Sequence, residues 1–317
     1  MPLGVCSQVR VPYAHVEVRT LVTRPTPPVP LDRARQDDGY FGPDSVTWKI
    51  YADPATKLGG MAALLLQALN PNMMRLFDQA TNSYGDAAGR DERTGRYLDT
   101  IAFGDRAHAD AAATSVRRMH AHAVWDDPQT GQTLRAEEPA WMEWTHNTLV
   151  YALLRSAKAF GLELSAEEED AFVREQHTAA ELLGMDVTRL PSTRAALEAH
   201  IDEQRHWLSL CLPAAEVTRQ LRKPSFRGNP VKVWTGIIVT DGVLSILPEW
   251  ALLLYGIEGR PLNLRAARKT TRRLIAVARK SSSYDSVIAS VTTRIDNHPY
   301  RKVRPVKRAS AAAGSTD

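Results

Sequence analysis

From residue 57 onward, apolar positions recur every three or four residues, the spacing that stacks them on one face of an α-helix. The pattern predicts helices over 57–70, 72–83, 87–103, 105–124, 139–160, 165–184, 192–212, 230–256 and 261–280. Their limits fall at residues that break or cap helices: Pro71, Gly104, the Asp127-Pro128 pair, Gly161, Gly184, Pro191, Pro213, Pro224 and Gly259. Between two of them, residues 126–139 carry the turn-forming run DDPQTGQTLRAEEP and are expected to form a hairpin or a loop. The reading is all-α.

The longest apolar region, Val231 to Ile257, is interrupted by Gly236, Asp241, Gly242, Pro248 and Glu249, so a spanning helix is not expected there. A buried helix pair, or an apolar wall for a greasy substrate, fits better. Residues 1–38 are proline-rich (Pro25, Pro27, Pro28, Pro30) and read as an extended arm. Residues 39–280 form the helical domain, and 281–317 a basic C-terminal segment whose tail after Pro299 reads as disordered. The SSSYDS run at 281–286 reads as a loop. There is no internal repeat.

Composition changes this picture little. Apolar residues make up 44% and charged residues 24% of the 317, which is ordinary for a globular chain and ample for a core. Cys6 and Cys211 stand far apart and form no ligand cluster, which argues against disulfides and cysteine-held metals and fits a reducing, cytoplasmic setting. No apolar leader core or twin-arginine start opens the chain, so no export signal is expected.

Charge is unevenly spread. Residues 259–317 hold fourteen Lys/Arg against three Asp/Glu, whereas the rest of the chain is net acidic. Without aromatic interleaving or a recognition-helix pattern, this excess does not read as a nucleic-acid site. A solvated face and a peripheral membrane contact through the basic helix remain the two readings.

Three helices carry residues able to do chemistry. In AHADAAATSVRRMHAHAVW, helical spacing gathers Ala109, Ala113, Val116, His120 and Val124 on one face and turns His122 to a polar one. A buried histidine commonly serves the core. A neutral imidazole in a groove of small residues is also what an iron ligand requires, because a flat cofactor can then approach the backbone. In GRDERTGRYLDTIAFG, Arg90, Arg93, Thr94, Tyr97 and Ile101 share a face. Guanidiniums on a half-apolar face need an anionic partner if buried, and a salt-bridged surface is the alternative. In AWMEWTHNTLVYALL, Met142, His146, Leu149, Val150 and Leu153 share a face, which points His146 inward as a second axial ligand, a hydrogen-bond donor near the site, or a core residue.

A rival comes from two E-x-x-H pairs, Glu143/His146 and Glu203/His206, the spacing of di-iron carboxylate bundles. The two further glutamates such a site needs are absent from 57–83 and 105–124, and His206 groups with polar residues. A third possibility is a non-catalytic helical binding protein. No phosphate loop, nucleophile elbow or H-E-x-x-H is present.

The order of motifs along the chain is more telling than any one of them: GYFGPDSVTWKIYADPATKLGG, LLLQALNP, Arg-x-x-Arg-Thr-Gly-x-Tyr, FG, VRRMHAHAVW, EWTHNTLV, ELLGMDVTRLP, then a basic helix. In this order the chain resembles, over about 39–280, the MpaB-type oxygenases and the rubber oxygenases (latex-clearing proteins). The resemblance implies a globin-like helical core with additional helices, haem b as cofactor, and a hydrophobic small molecule and O2 as partners. His120 would be the proximal iron ligand, with Arg90, Arg93 and Thr94 as catalytic residues on the distal side. His146, Arg90 and Arg117 would join His120 in holding the cofactor. Segments 61–69 and 231–257 would line a substrate channel. Two departures stand out: Arg93 occupies the position of a distal lysine and stays protonated, and Asn70 replaces a histidine found in many members.

Overall fold

The computed structural model describes residues 37–80, 87–222, 230–257, 259 and 261–297. Residues 1–36, with Cys6 and most of the predicted arm, and the tail from 298 lie outside the described residues. Among those described, the chain forms α1 (Val46–Tyr51), α2 (Thr56–Gln67), α3 (Pro71–Ala80), α4 (Ala87–Phe103) and α5 (Arg106–His122). A ribbon of β1 (Val124–Asp126) and β2 (Thr133–Arg135) follows. Then come α6 (Pro139–Ala159), α7 (Ala166–Leu182), α8 (Arg194–Glu203), α9 (Leu212–Arg222), α10 (Pro230–Leu244), α11 (Glu249–Leu254), α12 (Pro261–Ser281) and α13 (Tyr284–Asn297). The all-α expectation holds.

The centre is the pair α2–α6. Gly59, Ala62 and Ala63 keep the face of α2 flat, so the two backbones come close. A methyl group at Gly59 would lie 3.0 Å from the Leu153 Cα. Ser156 on α6 donates to the Ala55 carbonyl at 2.7 Å, pinning the start of α2. Leu65, Leu66 and Leu69 are buried here with Trp144, Leu153, Leu154 and Phe172 in one apolar cluster. Segment 61–69 therefore gives Ala62, Ala63, Leu65, Leu66 and Leu69 to the core, while Leu64 is exposed. The α7 helix begins with a capping box, Ser165 and Glu168 satisfying each other's backbone N–H groups, and lies alongside α1, α5, α6 and α8.

Around this centre, α10 and α12 form a second close pair, where Gly242 leaves room for Thr271. The long apolar region does not form one helix over 230–256; it is divided ahead of Pro248 into α10 and α11, in keeping with its polar breaks. Arg279 near the end of α12 bonds Asp53 at 2.6 Å and the Phe160 carbonyl at 2.8 Å, tying that helix to the α1–α2 and α6–α7 connections.

Two predicted loops or joins came out differently. Residues 192–212 do not form one helix: α8 ends at Glu203 in a 3-10 turn (Gln204–His206), and α9 starts only at Leu212. After Ser281 the chain does not remain a loop but turns into α13, which buries Val291 and Ile295 against Trp48, Ala102 and Phe103 and pairs Arg294 with Asp99 at 2.6 Å. Short-range pattern could not show this, because the face of α13 is completed by α1 and α4, more than 180 positions away. The run 126–139 did become a hairpin, with Val124 opposite Arg135, Trp125 opposite Leu134 and Asp126 opposite Thr133. Buried Asp127 closes it, accepting from Thr130 and the Gln129 N–H and pairing with Arg75 of α3 at 2.7 Å.

Candidate functional site

The α4–α5 hairpin presents the residues singled out by spacing. Asp105 caps α5 by accepting from the His108 N–H at 2.9 Å, and the helix then runs with Ala109, Ala112 and Ala113 buried. Further along the same face, Val116 and His120 are half-buried, whereas His122 is exposed with Nδ1 2.6 Å from the Arg118 carbonyl. The inward turn of His120 and the outward turn of His122 follow the helical wheel. The Nδ1 atom of His120 is sealed from solvent and has no hydrogen-bond partner. Burial pushes its pKa down, against the opposing charge of Glu137, so the ring is favoured in its neutral form.

On α4 the shared face changes character along its length. Ile101 is buried, Tyr97 is half-buried, and Arg93 and Thr94 are exposed. The side chain of Arg90 lies outside the described residues. Of the two readings left open for these guanidiniums, the exposed position of Arg93 fits a surface face rather than burial against an anion. Arg96 instead pairs with Glu92 at 2.9 Å along the helix. Arg117, also exposed, donates to the Leu182 carbonyl of α7 at 2.9 Å and to Thr114 at 3.2 Å, which makes it a clamp between α5 and α7.

His146 is half-buried on α6, between Met142 and the buried Val150 and Leu153. Burial, then the neighbouring His177, pushes its pKa down to about 4, so it is neutral at neutral pH. His177 itself is held by the Pro191 carbonyl at 2.8 Å from Nε2. The α5 helix packs on α4 and α7, and α6 packs on α2, α7 and α8. The α7 helix is therefore the element shared by the neighbourhoods of His120 and His146.

The di-iron alternative does not assemble. Glu143 is paired with Arg189 at 2.7 Å, Glu203 and His206 are exposed around the 3-10 turn, and Asn70 caps α3 through the Met73 N–H. Among the described residues, no group of three or more His, Cys, Asp or Glu side chains converges to hold a metal.

One histidine escaped the sequence reading. His108 is completely buried, with Nδ1 2.6 Å from the Asp105 carboxylate and Nε2 unpartnered. The signal was available: Asp105-x-x-His108 follows Gly104, and His108 begins the buried row that continues through Ala112. A methyl group on Gly104 would meet the Thr100 carbonyl at 2.4 Å and the His108 Cβ at 3.2 Å, so this end of the hairpin is closed tightly.

Measured against the needs of a haem axial ligand, His120 fits in its ring, which is favoured neutral, and in the small, half-buried Val116 one turn before it; Ala113 and Ala109 further back are already buried against Ile101, Tyr97 and Leu182. Among the described residues, no carboxylate or carbonyl accepts from Nδ1 to orient the ring, as one commonly does for a metal-bound histidine.

The model of a known family matches residues 48–280, described as the catalytic domain of the ER-bound oxygenase mpaB/B' and rubber oxygenase. No curated protein and no solved structure matches the chain. The match takes in α2 to α11, with the helices that carry His120 and His146, and nearly all of α12, and the chain belongs to the mpaB/rubber oxygenase catalytic-domain family.

Proposed function

We propose that this protein is a haem b-dependent oxygenase acting on a hydrophobic small molecule, with His120 as the protein ligand to iron. The observation that carries this reading is the state of that one ring: half-buried, favoured neutral, with an unpartnered Nδ1 on a helix face otherwise built of small residues. A protonated imidazole has no lone pair to offer a metal, so depressing its basicity by burial prepares it for ligation. Haem, when bound, supplies the redox chemistry with dioxygen; the protein controls access and charge.

The remaining residues take supporting parts. Arg93 and Thr94, exposed on α4, would offer N–H and O–H donors on the oxygen side of a bound haem. Arg93 cannot replace a lysine as an amine ligand, because its guanidinium stays protonated. Neutral His146 accepts or donates a hydrogen bond without bringing a charge into an apolar setting. Arg117 holds α5 against α7 and so fixes the direction of His120, one turn further on. The α4 segment bearing Arg90 belongs to the same functional surface.

Absorption spectroscopy tests the reading. Protein produced with a haem supply should show a Soret band and about one porphyrin per chain. His120→Ala should lose most of it while keeping its helical circular dichroism. Wild-type protein that folds and stays colourless would sink the haem assignment.

A further inference from the structure

The strongest feature outside the hairpin is the outer face of α12. Leu262, Arg265, Lys269, Arg273, Val277 and Lys280 follow one another at intervals of three, four, four, four and three residues, and all six are exposed. At 1.5 Å per residue they make one straight row roughly 27 Å long. The opposite face is committed to the body: Leu264, Ala267 and Thr271 are buried, Arg268 donates to the Ser245 carbonyl, and Arg279 binds Asp53. Orientation is therefore set by packing, and the row cannot turn inward.

Two properties separate this row from an ordinary solvated face. The helix contains no acidic residue, and among the described residues none of Arg265, Lys269, Arg273 and Lys280 forms an ion pair. Besides burial, the like charges of Arg155 and Arg265 disfavour the protonated form of Arg268. Moreover, the row includes two large apolar side chains, Leu262 at 74% and Val277 at 65% exposure, one near each end. Water gives no reason to keep either there.

We propose that this face docks the protein flat on an anionic lipid bilayer, its four cations over the headgroups and Leu262 and Val277 entering the acyl boundary. A helix with one face fixed to the body and a row of cations and aliphatics on the other is suited to lie in the interface. No described helix is long and apolar enough to cross a membrane, so the contact is peripheral. Aliphatic side chains within the cationic row favour lipid over nucleic acid, which would call for aromatic or amide groups there. The inference does not depend on haem.

Co-sedimentation of the full chain with phosphatidylcholine vesicles, with and without phosphatidylserine, tests it. Binding should require the anionic lipid and weaken as salt rises. Each cation near the surface is worth about fivefold in partitioning, so Arg265→Ala/Lys269→Ala/Arg273→Ala should weaken binding on the order of a hundredfold. Leu262→Ser/Val277→Ser should weaken it without changing its salt dependence. Arg219→Ala, at an exposed arginine of α9 paired with Glu216, should bind as wild type. Unchanged binding by the triple variant would overturn the proposal. So would wild-type protein that ignores anionic vesicles, whether it captures duplex DNA or self-associates through the same residues.

Discussion

His108 and His120 stand on one helix, twelve residues and about a third of a turn apart around its axis, and their surroundings differ. At the start of α5 the ring is completely buried and held by Asp105 at 2.6 Å, in a turn with no room for a methyl group on Gly104. At the other end the ring is half-buried, and its Nδ1 has no partner among the described residues. Each histidine carries one unpartnered buried nitrogen, so that feature does not separate them. What does is the carboxylate clamp: Asp105 makes His108 part of the scaffold, whereas no described residue holds the Nδ1 of His120.

Exchanging roles is the most direct way to break this contrast. His120→Ala should remove nearly all bound haem, read at the Soret band, with little change in urea midpoint. His108→Ala should do the opposite. Taking the ring from a buried carboxylate and leaving a cavity costs roughly 2–4 kcal/mol, while haem capacity of the folded fraction is retained. If His108→Ala bleached a fully folded protein, the assignment of the two rings would be reversed.

A smaller effect lies in pH. His146 has a pKa near 4 when folded, below the 6.5 of an exposed imidazole. Between those values the unfolded chain binds the proton that the folded one refuses. Stability is therefore at its full value above pH 6.5 and falls as pH drops toward 4, by up to about 1.4 kcal/mol per unit from this one ring. His120 shifts in the same direction. Urea unfolding at stepped pH should show the slope, and His146→Leu should flatten it; an unchanged slope would place the titration elsewhere. Smallest of all, His122→Ala should alter stability by no more than about 0.5 kcal/mol and leave the Soret band untouched, because that ring is exposed.

Periodicity was a good guide wherever a helix meets the core along its whole length. It placed the span of α4 without error and those of α5, α6 and α7 within two residues. It failed at α9 and α13, missed α1, and ran α10 and α11 together. The α13 helix is short and mixed in polarity, and its buried residues make sense only beside Trp48 and Phe103. The wheel also oriented His120 and His122 correctly, since direction around a helix is a local property. It gave Arg93 and Thr94 the same face as Ile101, which is true, but could not show that this face leaves the core before reaching them.

What the residue order determined unaided was the helical class, the family, and the side of α5 on which each histidine stands; these depend on spacing within a few turns. Tertiary structure alone decided which histidine is locked and which is open, because burial and partnership are properties of what packs across the gap. It likewise decided that the cations of α12 form an outward row, since only the seating of Thr271 against Gly242 and of Arg279 against Asp53 settles which face is left to the surroundings.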